Sequence, residues 1–223
     1  MENKLIYSIK DLSIGHDSRI LCSGISFDIC EGDCIMLCGA NGSGKTTLMK
    51  KLAEDKEGIM IPARIPKVSG FTLKEFVRIS CYNKSDMYGK LSPAEESAMN
   101  QAIEDLGLTT LADRDISTLS DGEFQKAGIA SALVRKAPVI MLDEPTAFLD
   151  AQNRIHVLHT LKEICSRYTA EGHRPAVIFS THDLHDGLQV CSKVFAIGAD
   201  SRFHSSAEDT PESKVSAVSS IFR

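Results

Sequence analysis

Residues 39–47 read GANGSGKTT, and this stretch constrains the fold more than any other. It fits the pattern G-x-x-x-x-G-K-[ST] and directly follows an apolar run, CIMLC at residues 34–38. A helix-forming segment, LMKKLAE, comes next. A short buried strand, a glycine loop and then a helix is the context that a phosphate-binding loop requires. Gly39, Gly42 and Gly44 let backbone N–H groups turn inward around phosphate oxygens without a Cβ in the way. Ala40, Asn41 and Ser43 complete the cradle. The helix start beyond it adds unpaired N–H groups and a positive dipole end. Lys45 can reach the β- and γ-phosphates, Thr46 can hold Mg²⁺, and Thr47 beside them is a further ATP-binding residue. An ordinary glycine turn is the competing explanation, and the apolar run before the loop argues against it.

The 223 residues suit one domain, or a core with an inserted lobe. No apolar run approaches the roughly 20 residues that span a bilayer. The N-terminus, MENKLIYSIK, has no signal-peptide core, which predicts a cytoplasmic chain. Net charge is −5. That argues against a broad nucleic-acid surface, which usually has a domain pI above about 9. The seven cysteines form no C-x-x-C pair. Cys34 and Cys38 on one strand would lie about 13 Å apart, too far for a disulfide. Buried thiols in a reducing compartment are expected, with a metal cluster as the other possibility.

Apolar runs at residues 34–38, 139–142, 176–180 and 194–197 predict strands buried on both faces, with helical stretches between most of them. This alternation predicts an α/β fold with a parallel central sheet. Residues 5–9 and 24–29 alternate apolar and polar, which suits an antiparallel β flap with one wet face. Strand signals vanish between about residues 70 and 130. There, Ser92-Pro93-Ala94-Glu95 is a helix start with a capping serine, proline at the first position and a closing glutamate. Gly107 stops that helix, and residues 75–80 suit a further short one. The division expected is a core of residues 1–69 and 131–223 with a helical lobe of residues 70–130. The tail from Asp200 is expected to dock loosely.

VIMLDE at residues 139–144 carries two carboxylates to the C-terminal end of a buried strand. In a parallel sheet that end faces the nucleotide. Asp143 can hold Mg²⁺ through water, and Glu144 can polarise an attacking water. A lone acidic pair in a turn is common; this pair gains its meaning from the loop at Gly39. His182 ends a similar run, where it can donate to a γ-phosphate oxygen and sense its loss. A single histidine after a strand is more often surface or core. LSDGEFQ at residues 119–125 starts another helix, with Ser120 and Glu123 as a capping box. The Ser120 hydroxyl and Gly122 N–H can bind phosphate, provided that Asp121 and Glu123 point away from it.

With these residues in place, the chain resembles the ATP-binding subunits of ABC transporters over most of its length. Residues 39–47 look like Walker A, residues 139–144 like Walker B, and LSDGEFQ like the LSGGQ signature. DEPTAFLD at residues 143–150 runs into what resembles the D-loop, with Asp150. THD at residues 181–183 resembles the switch-histidine motif. The resemblance implies a P-loop NTPase core of ABC type and the cofactors ATP and Mg²⁺. It implies Lys45, Glu144 and His182 in catalysis, and Thr46 and Asp143 on the metal. It also implies a head-to-tail dimer in which Ser120 and Gly122, with Asp121 and Glu123 in the same motif, act on the partner's ATP. The other partners implied are transmembrane permease subunits and, indirectly, a substrate-binding protein, with no nucleic acid. The place implied is the cytoplasmic face of the membrane. His16 matches the position where an aromatic side chain stacks on adenine; an exposed loop histidine is the alternative.

Within the family, FTLKEFV at residues 71–77, the LSPAEE helix start and ADRDISTLSDGE at residues 112–123 are most similar to the iron-siderophore and haem uptake group. Import of an iron complex, driven by ATP hydrolysis, is therefore the function expected. Two departures stand out. Ala63 falls where the family has a glutamine that contacts Mg²⁺ and relays to the permease, and a hairpin before it is reduced. Phe148 is a bulky residue in the D-loop. Ala63 motivates an alternative, a nucleotide-gated module with weak or no hydrolysis. A soluble ABC protein acting on DNA or ribosomes is a third possibility. It is disfavoured because the chain has room for neither a long coiled coil nor a second cassette.

Overall fold

A computed structural model describes residues 4–16, 19–55, 58–81, 91–147, 149–167, 172, 174–206 and 209–222. The chain opens with two long antiparallel strands, β1 (Leu5–His16) and β2 (Arg19–Cys30). They pair from Leu5 opposite Cys30 to His16 opposite Arg19, with irregularities that bend the ribbon. Cys22, Ile25, Phe27 and Ile29 of β2 are buried, while Ser26 and Asp28 between them face water. That alternation makes the expected flap with one wet face.

The main sheet holds β3 (Cys34–Gly39), β4 (Ile59–Ile61), β5 (Val139–Leu142), β6 (Ala176–Ser180), β7 (Lys193–Ile197) and β8 (Phe203–Ser205). Their spatial order is β4-β5-β6-β3-β7-β8. All neighbours are parallel except β8, which runs antiparallel to β7. Every residue of β3, β5 and β6 is buried. Such strands need apolar side chains on both faces, which is why the sequence shows runs there instead of alternation. Along β3, Cys34, Met36 and Cys38 enter one apolar cluster. Ile35 and Leu37 enter a second, with the flap and with Leu48, Met49 and Leu52 of α1 (Lys45–Asp55).

The first cluster gathers most of the other helices: α2 (Leu73–Ile79), α3 (Pro93–Asp105), α4 (Asp121–Val134), α5 (Ala151–Ser166), α6 (Leu184–Val190) and α7 (Pro211–Ser219). The capping signals act as expected. Ser92 Oγ accepts from the Glu95 N–H at 3.3 Å while the Glu95 carboxylate accepts from the Ser92 N–H at 2.8 Å. Gly107, at φ 67°, ends α3 with Leu108 N–H donating to the Ile103 carbonyl at 2.9 Å. A left-handed residue just past a helix is where glycine has least to lose. α2 starts at Leu73, capped by Thr72 in a further capping box, two residues earlier than residues 75–80 suggest.

Three elements lie outside the sequence expectation: β4, β8 and α7. β4 and β8 have three residues each, too few for a period. α7 falls in the serine-rich tail expected to dock loosely, yet Ala217 and Val218 are buried. Lys214 Nζ donates to the Cys191 carbonyl at 2.9 Å and fastens the helix down. All seven cysteines are free, and all but Cys30 are buried. Burial pushes the Cys38 and Cys191 thiols up to about 12, so both stay neutral and unreactive near neutral pH. No helix among the described residues is long and apolar enough to cross a membrane. Because β5, β6 and β3 are neighbours, their C-terminal ends bring three loops together at one edge.

Candidate functional site

The loop between β3 and α1 is a tight bend. Gly39 has φ 154°, and a Cβ there would lie 2.7 Å from Ser43 Oγ and 2.9 Å from the Ile197 carbonyl oxygen. Gly44 has φ 109°, and a Cβ there would meet Ile14 Cδ1 at 2.9 Å. Only glycine satisfies both demands. Lys45 is buried, and its Nζ donates to the Gly39 carbonyl at 2.9 Å and the Ala40 carbonyl at 3.2 Å. Burial pushes the Lys45 pKa down, while the nearby Glu144 and Asp143 carboxylates pull it back. Ser43 Oγ is buried with no hydrogen-bond partner among the described residues. A glycine-lined bend, an ammonium group and an orphaned hydroxyl are donors that suit a polyphosphate.

From this loop a chain of contacts crosses three strands. Thr46 Oγ1 donates to Asp143 Oδ2 at 2.7 Å. Ser180 Oγ donates to Asp143 Oδ1 at 2.8 Å and accepts from the Glu144 N–H at 2.8 Å. His182 Nε2 lies 2.6 Å from Glu144 Oε1. Glu144 takes φ 46°, left-handed for a residue with a side chain. Such backbone costs about 1–2 kcal/mol and persists only where neighbours hold it. Here the Ser180 hydroxyl holds the Glu144 N–H, and the Ala147 N–H donates to the Glu144 carbonyl at 3.1 Å. In this conformation the Glu144 side chain lies against His182. Thr46 and Asp143 together offer the hard oxygen donors that Mg²⁺ takes.

Ser180 is the functional residue that sequence reasoning missed. Its signal is a fully buried hydroxyl at the end of an otherwise apolar strand. Ser180→Ala strands both the Glu144 N–H and one Asp143 oxygen. A buried group left unpaired costs about 1–3 kcal/mol. That should lower the melting temperature by about 2–12 °C for a chain of this size. Turnover of nucleotide should fall further than its KM rises, because the acids lose their alignment. Thermal melts and phosphate release check this, and an unchanged melt with unchanged turnover would remove Ser180 from the site.

The signature residues sit at the start of α4. Ser120 caps α4, and its hydroxyl meets Glu123 Oε2 at 2.8 Å. The Ser120 backbone N–H and hydroxyl hold the Glu123 carboxyl below its ordinary range. Asp121 is exposed and pairs with Lys67 at 2.7 Å. Both acids thus have partners within the chain. Gly122 is buried, and a Cβ there would lie 2.9 Å from Leu149 Cδ2. Asp150 caps α5 by accepting from the Asn153 N–H at 2.9 Å. Asp183 accepts from the Asp186 N–H and pairs with Arg154 at 2.5 Å, which fixes the segment behind His182. His16 ends β1, and its side chain lies outside the described residues, as does Phe148.

Ala63 follows β4 and lines a cavity of about 220 Å³ with Gln125, Glu144 and Lys67 among its walls. The Ala63 methyl offers no hydrogen bond. Only residues 56–58 separate α1 from β4, so the segment before Ala63 is indeed short.

A family model described as ABC transporter matches residues 22–147. The chain is 34% identical over 187 residues to the aliphatic sulfonates import ATP-binding protein SsuB of Granulibacter bethesdensis, covering 81% of this chain and 74% of that protein. It is 27% identical over 241 residues to the "Probable siderophore transport system ATP-binding protein YusV" of Bacillus subtilis, covering 96% and 85%. Among solved structures, a nucleotide-free ATP-binding cassette from an ABC transporter superposes with a TM-score of 0.76 at 17% identity, covering 98% of this chain and 96% of that one. That similarity concerns the fold.

Proposed function

The chain belongs to the ABC transporter family of ATP-binding proteins, and from that premise we propose that it hydrolyses Mg·ATP to drive import of an iron complex. The contact chain Thr46–Asp143–Ser180–Glu144–His182 carries this proposal, because it links the metal ligands to the water-polarising acid in one rigid array. The triphosphate lies in the bend from Gly39 to Thr47, with Lys45 released from its loop carbonyls to the phosphates. Thr46 and Asp143 would hold Mg²⁺, which supplies charge neutralisation on the phosphate oxygens. Glu144 orients and polarises the attacking water. His182 positions Glu144 and donates to the γ-phosphate. Phosphoryl transfer depends mostly on such positioning and charge placement.

Two copies would pair head to tail, each presenting Ser120 and Gly122 to the other's nucleotide. For that, the Ser120 hydroxyl must turn from Glu123 towards phosphate. Residues 70–130 act as the lobe that carries the signature. Closure drives a permease, which holds the chain at the cytoplasmic face of the membrane. The iron-complex assignment rests on YusV, whose similarity runs over 96% of the chain. SsuB, named for sulfonates, is the competing guide. Disrupting the gene should abolish most of the uptake of a ⁵⁵Fe-labelled siderophore. The wild-type gene should restore uptake and Glu144→Gln should not. Loss of sulfonate uptake with iron uptake intact would overturn the cargo.

A nucleotide-gated module with weak hydrolysis is the second possibility, favoured by Ala63. Steady phosphate release above a Lys45→Ala control excludes a strictly non-hydrolysing module.

A further inference from the structure

Residues 61–67 form a splint between the metal-binding acid and the signature segment. At one end, the Ile61 carbonyl accepts from the Asp143 N–H at 2.9 Å. In the middle, Ile65 and Ile61 lie against α4 at Gly128, where a Cβ would come within 2.6 Å of Ile65 Cδ1. At the far end, Lys67 Nζ donates to the Leu119 carbonyl at 2.7 Å and to Asp121 Oδ1 at 2.7 Å. It also sits 5.8 Å from the centre of the Phe124 ring. One ammonium group thus grips three consecutive features of the signature: its leading carbonyl, its acid and its aromatic residue.

We propose that Lys67 is a positioning residue that neutralises Asp121 and sets the signature segment for capture of a second copy's ATP. The inference rests on the two-copy reading above. Asp121 stands between Ser120 and Gly122, and its side chain is exposed. An unpaired carboxylate there would repel the triphosphate that those neighbours must approach. Lys67 removes that charge, and its hold on the Leu119 carbonyl fixes the first turn of α4. Arg64 adds a smaller attraction than Lys67 does.

The test uses the full chain with Glu144→Gln, which is expected to retain ATP, and reads ATP-driven dimerisation by sedimentation. Adding Lys67→Met should weaken dimerisation by about tenfold, more at low salt, since removing a compensating charge acts through the field. ATP binding by the monomer should stay within about twofold, because Lys67 is not part of its own cradle. Lys67→Arg should behave as the parent. Asp121→Asn combined with Lys67→Met should restore dimerisation, which a purely structural role for Lys67 would not allow. Undiminished dimerisation with Lys67→Met, or no rescue by Asp121→Asn, overturns this inference alone. A parent that binds ATP and never dimerises overturns the two-copy reading and this inference with it.

Discussion

The Glu144→Gln chain is expected to bind Mg·ATP as the wild type does and to release phosphate at least about a hundredfold more slowly, the scale set by loss of a positioned base. Glutamine keeps the shape of the side chain and its reach to His182 Nε2, now 2.6 Å from the carboxylate. It removes the negative charge that polarises water. It leaves the Glu144 backbone, held by Ser180 at 2.8 Å, undisturbed. Binding and turnover should therefore separate cleanly. Phosphate release followed alongside nucleotide binding checks this, and turnover within a few-fold of wild type would assign the chemistry to another group.

Lys45→Ala should lose ATP affinity by about a hundredfold or more, since a desolvated lysine–phosphate contact is worth several kcal/mol. The same change removes the two hydrogen bonds to the Gly39 and Ala40 carbonyls. The buried ammonium carries a depressed pKa because burial disfavours its charge. Its folded pKa lies below the unfolded one, so at neutral pH the buried charge costs stability. Removing it relieves that cost while the two lost hydrogen bonds oppose the gain, and the melting temperature should change little. Competition binding and a melt run in parallel separate loss of a ligand contact from loss of fold. A Lys45→Ala chain with unaltered affinity would mean that the ammonium does not touch phosphate.

The parts of the site set by local rules were legible in the sequence. A glycine loop after a buried run, a carboxylate pair at a strand end and capping boxes all depend on residues close in sequence. Ser120 and Ser92 cap as their spacing with Glu123 and Glu95 dictates. The contacts that were not legible join distant residues. Ser180 lies 37 residues from Asp143, and Lys67 lies 54 from Asp121. Nothing local marks Lys67 as a partner for the signature, because the long-range contacts of Ile61 with Asp143 and of Ile65 with Gly128 bring it there. The short strands β4 and β8 failed for another reason: three residues form a strand when a neighbour supplies the ladder, not by their own pattern. α7 was hidden by its serines: two buried side chains, Ala217 and Val218, and the Lys214 hydrogen bond to the Cys191 carbonyl dock it.

The most direct test is to saturate the purified Glu144→Gln chain with labelled Mg·ATP and identify the nucleotide that stays bound. Intact ATP, at one per chain and lost on adding Lys45→Ala, is the predicted result. Bound nucleotide recovered as ADP, or no saturable binding at all, would contradict it.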